Sequence, residues 1–379
     1  SQMSSLCLLG ADSLLGRHLL SLLLSPHPSL PFVVPHQIRL WTVAPFQAPP
    51  TPDSDCPSLL FLHGDHRLEE AIEGAETVIN CQECADWSMV PDVERLQREN
   101  VDVPRRILSA ISPTATLIHI SSAFVQSWWR WPNINGKEQR AADYEKGWPF
   151  KEYCISKVAS ESIVLSREGR TLVVRVAALY GEGDNSSQVT DAIKISSLFS
   201  STIPFVGDGG GCTQLSYAGN VAAGVLRAIP VAPLKVDDTS DLSRIVIIGD
   251  ATPIVNTYTN VLPMVQNGKL RLSSYKIPFF LLFIPYFLFT LIVRLLSKAV
   301  DIPKAIRQLP DPSFFFVFFY HWTFFCSFKA RIFLNHRDIY SQEECLARSS
   351  AYYRKLDPTD VKRYSWQARE YGSQGSIDN

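Results

Sequence analysis

Short apolar runs of strand length alternate with stretches of helical period through most of the first 250 residues. Leu6 to Leu9 is the first run, and a turn from Gly10 to Gly16 leads from it into a helical pattern over Arg17 to Leu24. Ile38 to Val43, Leu59 to Leu62 and Thr77 to Asn80 continue the strands, with a helix over Leu68 to Ile72 between the last two. A helix over Val101 to Ile111 and strands over Thr116 to Ser122, Leu172 to Val176 and Ile245 to Ile248 complete the alternation. Strands and helices taking turns in this way predict an α/β fold, a Rossmann-type doubly wound parallel sheet.

The first strand, turn and helix have the form of a dinucleotide-binding unit. Gly10 allows the tight turn, and Gly16 lets the helix pack close to the sheet while its N-terminus faces a pyrophosphate. The fingerprint is partial. Ser13 stands where a glycine would let the backbone approach the phosphates, and Thr42 stands where an acid would bind the ribose 2′-hydroxyl. The cofactor is read as NAD, with NADP left open. In an open α/β sheet the ligand lies beyond the carboxyl ends of the strands, which directs Ser122, at the end of its strand, toward substrate. Tyr153 and Lys157 stand one helical turn apart and share a face if Trp148 to Glu161 is helical. A phenol titrates near pH 10 and needs a neighbouring positive charge to serve as a base near neutrality; Lys157 supplies one. Plainer readings stand beside these, because tyrosine–lysine pairs are common on amphipathic helices and strand-end serines often satisfy backbone groups.

Composition adds exclusions. Lys and Arg number 36 against 37 Asp and Glu, a formal charge of −1 that gives no electrostatic footprint for nucleic acid. The eight cysteines are scattered. Cys81 and Cys84 form a close pair without a second C-x-x-C or spaced histidines, so no metal site is read and the thiols are taken as reduced in a cytosol-facing protein. Asn185-Ser186-Ser187 is a formal glycosylation acceptor, relevant only to a lumenal loop. Ser5 to Leu24 reads as strand, turn and helix, not as a signal peptide.

The order and spacing of several motifs carry a family resemblance. They are Gly10 to Gly16, Gly64-Asp65, Asn100-Val101, Ser121-Ser122, Trp148-Pro149 with Tyr153 and Ser156-Lys157, Tyr180-Gly181-Glu182-Gly183, Asn220-Val221-Ala222, and Asp250 with Thr252-Pro253. From about Leu6 to about Leu356 the chain resembles an extended short-chain dehydrogenase/reductase, and within that superfamily the 3β-hydroxysteroid dehydrogenase/Δ5-Δ4 isomerase family. The tryptophan and proline before Tyr153, and the Asp-x-Thr-Pro, favour the steroid branch over sugar-nucleotide epimerases. The resemblance implies oxidation of a 3β-hydroxysteroid or sterol to its 3-ketone, with or without a shift of the double bond from Δ5 to Δ4, for which the sequence names no base. Tyr153 would take the hydroxyl proton, Lys157 would lower its pKa and hold the nicotinamide ribose, and Ser122 would bond the same oxygen. Gly10, Ser13, Leu14, Leu15, Gly16, Thr42, Asp65, Asn80 and Lys157 are the implied dinucleotide contacts. A sterol-4-carboxylate 3-dehydrogenase and a catalytically silent lipid- or nucleotide-binding scaffold are the competing readings. Ser13, Thr42 and Val176, the last standing where the family commonly has proline after Arg175, are the departures.

On this reading residues 1–182 form the dinucleotide-binding core, with 213–250 returning to it. Residues 183–212 and 251–356 form a substrate-binding and membrane-associating part, and 357–379 a tail, its end from Tyr371 to Asn379 disordered. Ile277 to Val293 is free of charged residues and sits at the lower limit of the roughly 17–25 residues that span a bilayer, with Pro278 and Pro285 to bend it. Ser313 to Cys326 is a second aromatic run, too short to span. A spanning helix, an interfacial anchor and a wall of the substrate pocket are the three readings of the first run; Lys269, Arg271 and Lys276 before it and Arg294 and Lys298 after it set no orientation. The resemblance implies membrane lipid as a partner, a location on the endoplasmic reticulum or a mitochondrial membrane, and room for a homo-oligomer. Asp338 to Arg354 reads as a charged, solvated helix.

Overall fold

The computed structural model describes residues 4–30, 32–46, 57–232, 241–265 and 270–369; Lys269 and Tyr371 to Asn379 lie outside them. The main sheet has seven parallel strands: β1 Ser5–Leu9, β2 Gln37–Thr42, β3 Ser58–His63, β4 Thr77–Asn80, β5 Thr116–Ser122, β6 Thr171–Val176 and β7 Ile245–Ile248. Their spatial order is β7-β6-β5-β4-β1-β2-β3. The order reverses between β1 and β4, and the crevice at such a switch point is where doubly wound sheets bind ligands. The helices include α1 Leu14–Leu24, α2 Leu68–Ile72, α3 Val103–Ala110, α4 Lys151–Leu165, α5 Gln188–Leu198, α6 Ala218–Ala228, α7 Phe279–Leu296 and α8 Gln342–Tyr353.

The period of β1 explains the two layers. Leu6 and Leu8 enter one core with Leu15, Leu19 and Val221, while Cys7 and Leu9 enter the other with Leu68, Ile107 and Val164. Every residue of β1 is buried, as expected of a parallel strand covered on both faces. The predicted strands match to within a residue or so. The first helix starts earlier than expected, at Leu14, because the Ser13 hydroxyl accepts a hydrogen bond from the Gly16 amide at 3.0 Å and caps it. The helix expected from Val101 begins at Val103; residues Gln97–Asp102 before it take a wider turn.

Several motif residues prove to be internal ties. Arg175, 1 % exposed, forks onto Glu161 at 2.9 and 2.7 Å and also donates to Gln126 at 2.7 Å. Glu161 in turn accepts from the Ser121 hydroxyl at 2.6 Å, so of the two strand-end serines Ser121 serves the scaffold. Asp250 accepts from the Tyr217 amide and from the Thr252 hydroxyl, each at 3.0 Å. The Asn220 carbonyl oxygen accepts from the amides of Ile339 and Tyr340, joining α6 to the entry of α8. The charged helix expected over Asp338 to Arg354 is α8; it buries Cys345, Ser349, Ser350 and Tyr353 and leaves its other face to solvent.

The C-terminal half folds back onto the domain in two places. The second aromatic run is folded into the core, with Phe314, Val317, Phe318 and Phe325 buried. It supports α7, whose Phe279 and Phe283 pack against Phe316 with ring centroids 5.2 and 4.6 Å apart. The segment after residue 356, expected as a tail, also returns: Trp366 is buried, and its indole donates to Gln308 at 3.0 Å. Its aromatic and hydroxyl side chains find partners there, which a count of charged and small residues does not reveal.

Arg175→Met leaves Glu161 buried without its counter-charge, and removing one partner of a buried ion pair costs about 3–5 kcal/mol. Denaturant unfolding is expected to show that loss, whereas an unchanged midpoint would mean that the fork carries no stability.

Candidate active site

Tyr153 and Lys157 lie on α4, which starts against the aromatic core: Phe150 precedes it in the left-handed region (φ 48), and its amide donates to the Ser313 hydroxyl at 3.1 Å. The Trp148 indole donates to the Val125 carbonyl at 2.7 Å, fixing the approach to the helix. Asn100, in the wide turn before α3, bonds both the amide and the carbonyl of Cys84 and donates to Ser156 at 2.8 Å. The loop after β4 and the first turn of α4 are thereby held together.

Tyr153 is 2 % exposed and Lys157 1 %, yet both reach the carboxyl ends of the strands. The Lys157 ammonium donates to the Ile120 carbonyl at 3.0 Å and to Glu83 at 3.2 Å. The Tyr153 hydroxyl donates to that same Glu83 oxygen at 3.2 Å. Burial, and after it the Glu83 charge, push the phenol well above its ordinary value, while a hydrogen bond with Ser122 pulls it down. The Lys157 ammonium spends its hydrogen bonds on Glu83 and the Ile120 carbonyl, and the phenol shares that Glu83 oxygen. Glu83, with its side chain 40 % exposed, was absent from the expected site; the signal was a lone acid just beyond a buried strand end, at the switch point.

A cleft runs from the β1–α1 turn to Tyr153. Its walls include Asp12 to Leu15, Cys81 to Glu83, Ile120 to Ser122, Val176 to Leu179 and Asp184 to Gln188. Of the expected residues, Ser13, Leu14, Leu15, Ser122 and Tyr153 line it. Gly10 and Gly16 shape it from behind. Gly10 has φ +72, and a Cβ there would come within 2.7 Å of the Gln82 amide; a Cβ on Gly16 would come within 2.2 Å of the Gly10 carbonyl. Four expected contacts stand outside the cleft wall: Lys157, whose ammonium is on Glu83 and the Ile120 carbonyl, and three others. Thr42 turns its hydroxyl onto the Ala44 carbonyl at 2.6 Å, Asp65 pairs with Arg106 at 2.6 Å, and Asn80 bonds His119 and the Gln82 amide at 3.0 and 3.1 Å. Burial pushes the thiols of Cys81 and Cys84 up, and both are free.

Residues 6–235 match the NAD dependent epimerase/dehydratase family. The chain belongs to that family. Solved structures with the same fold include UDP-glucuronic acid 4-epimerase from Bacillus cereus in complex with UDP-glucuronic acid and NAD, at 16 % identity and TM-score 0.60 over 93 % of this chain and 99 % of that one. DesIV, a dTDP-glucose 4,6-dehydratase from Streptomyces venezuelae with NAD bound, gives 16 % identity and TM-score 0.61 over 93 % and 97 %. MoeE5 in complex with UDP-glucose and NAD gives 16 % and 0.61 over 93 % and 99 %. No curated protein matches the chain in sequence.

The residues fit the family's cofactor. Ser13 does not obstruct the phosphate loop, because its hydroxyl is spent within it, donating to the Gly10 carbonyl at 2.7 Å and capping Gly16. With the Gly16 amide taken by Ser13, the amides of Leu14 and Leu15 in the first turn of α1 are the groups that would hold a pyrophosphate. The expected cofactor, NAD, thus agrees with the family and with the fold.

Replacing Glu83 by Gln removes the negative charge facing the phenol. Ultraviolet difference titration is expected to place tyrosinate formation at lower pH in Glu83→Gln than in the unaltered protein, with the difference abolished by adding Tyr153→Phe. Coincident curves would mean that Glu83 does not control the phenol.

Proposed function

We propose that the chain is an NAD-dependent dehydrogenase that oxidises the 3β-hydroxyl of a steroid or sterol. The observation that carries this reading is that Tyr153 borders a second cavity beside α7, about 530 Å³ in volume, whose walls include Trp87, Trp129, Trp148, Phe150 and Phe287. That volume lies within the roughly 300–1,000 Å³ of small-molecule pockets, and flat aromatic walls suit a flat apolar ring system. Lys146, Lys151, Arg294 and Lys298 also stand in its wall beside the acids Asp86, Glu145, Glu152 and Asp311, and the lysines are the cations that the carboxylate of a 4-carboxysterol would meet.

In this mechanism Ser122 and Tyr153 hold the substrate oxygen, and Tyr153 receives the hydroxyl proton as its own is released toward Glu83. Lys157 holds Glu83 and the strand-end carbonyl in register, and the nicotinamide ring supplies the acceptor for hydride when bound. General acid–base help of this kind is worth about 10²–10⁴ in rate. A shift of the double bond from Δ5 to Δ4 would follow only if a second proton acceptor reaches C4.

Helix α7 supports a lipid-associated reading. It is long and apolar enough to cross a membrane, with 22 % of it buried. Phe279, Phe283, Thr290 and Val293 form the buried stripe, and Arg294 donates to the Met89 carbonyl at 3.0 Å. Leu281, Leu288 and Leu295 stand 67, 54 and 70 % exposed on the outer face. A helix docked lengthwise in this way favours lying in the interface, where an apolar face enters lipid while the rest stays on the domain. The cavity beside it would then take sterol from the bilayer. The endoplasmic reticulum or a mitochondrial membrane is the compartment this reading names.

Purified protein offered a Δ5-3β-hydroxysteroid, a 4-carboxysterol and UDP-glucuronic acid, each with NAD and with NADP, is expected to reduce NAD with a sterol, and Tyr153→Phe to lower that rate by about 10²–10⁴. Turnover of the nucleotide sugar alone would overturn the sterol reading, and failure to bind a dinucleotide would favour a silent scaffold. Leu281→Glu with Leu288→Glu is expected to weaken partitioning onto phospholipid vesicles by about tenfold or more per residue, read by flotation.

A further inference from the structure

Residues after α8 cross back over the cleft. Val361 accepts from Lys194 at 2.7 Å, and Ser365 donates its amide and hydroxyl to Asp191, buried on α5, at 2.7 and 2.5 Å. Trp366 accepts from the Trp87 amide at 2.8 Å, and Arg369 ends the crossing 2.5 Å from the Asp12 carboxylate in the β1–α1 turn. The strap therefore bridges α5 to the loop that precedes α1. Arg363, Ser365 and Arg369 form part of the same cleft wall as Tyr153. Arg363 is held over the loop after Gly183 by a 2.8 Å hydrogen bond to the Ser186 hydroxyl.

Two further observations point to a ligand between strap and sheet. The side-chain carbonyl oxygen of Gln188, on a residue 7 % exposed in that wall, is buried without a hydrogen-bond partner. A buried acceptor of this kind calls for an N–H or O–H donor, which a ribose hydroxyl or a carboxamide supplies. With the strap across it the inner part of the cleft holds about 180 Å³, below the roughly 300–1,000 Å³ of small-molecule pockets, so a ligand as long as a dinucleotide would lie against the strap.

We infer that residues 361–369 are a mobile strap that closes on a nucleotide diphosphate, with Arg363 and Arg369 binding its phosphate oxygens beside the N-terminus of α1. A guanidinium carries five donors in a planar fork, enough to hold Asp12 and a phosphate oxygen together. The anchor at Asp191 and Lys194 is the hinge side, and the Arg369 end is the closing side. The inference rests on occupancy of the cleft by a nucleotide and not on the sterol reading. The diphosphate is that of NAD on the reading above; a nucleotide-linked substrate presents the same chemistry.

The test uses the full chain, with NADH and UDP as separate probes and adenosine as the phosphate-free control. Arg363→Gln and Arg369→Gln are expected to weaken NADH binding by about tenfold or more each in calorimetry, and to leave adenosine binding unchanged. Hydrogen exchange of the unaltered protein, which does not depend on the variants folding, is expected to slow in the peptides covering 361–369 when NADH is added. Affinity for both NADH and UDP unchanged in both variants, or strap exchange unaltered by either probe, overturns the strap. Variants that weaken UDP but not NADH overturn its assignment to the dinucleotide. A chain that binds neither probe overturns the nucleotide reading together with the strap, while NADH binding without sterol turnover sinks only the proposed reaction.

Discussion

The site depends on one buried contact, the ammonium of Lys157 set between the Ile120 carbonyl and Glu83. A lysine that is 1 % exposed must spend its charge on fixed partners, and here those partners come from two neighbouring strand ends. The contact therefore ties α4 to the crevice between β4 and β5. It sets the height of Tyr153 above the sheet and gives the phenol an acidic neighbour. Everything built around it, from the Asn100 brace to the aromatic seat of Phe150, holds α4 at that height.

The sheet was legible because its strands are short apolar runs, buried on both faces at the centre of the sheet and exposed mainly at the β3 edge. Ser122, Tyr153 and Lys157 were legible for the same reason, since strand ends and helical spacing fix where they face. The electrostatics were not. Which charge faces the phenol is decided by Glu83, a loop residue whose direction no periodicity encodes. Ser121, Asn220 and Asp250, which carry the resemblance, and Arg175 beside Val176 hold the scaffold, because buried polar groups need partners. Thr42, Asp65 and Asn80 were placed near the dinucleotide by resemblance, and each spends its side chain on a protein partner instead.

The C-terminal half was least legible. Its two aromatic runs look alike in composition, yet one is core and the other keeps a face exposed. The strap from 361 to 369 reads as a tail by composition. Its hold on the domain comes from Ser365 on Asp191 and Arg369 on Asp12, contacts between residues more than 170 positions apart. The switch-point cleft and the cavity walled by tryptophans meet at Tyr153, which borders both.

The most direct measurement follows the hydride. A Δ5-3β-hydroxysteroid carrying deuterium at C3 is incubated with the protein and NAD, and the reduced cofactor is weighed by mass spectrometry. The account predicts deuterium in the cofactor, lost when Tyr153 is replaced by Phe. Unlabelled cofactor from the sterol, with label transferred instead from a C4-deuterated nucleotide sugar, would contradict it.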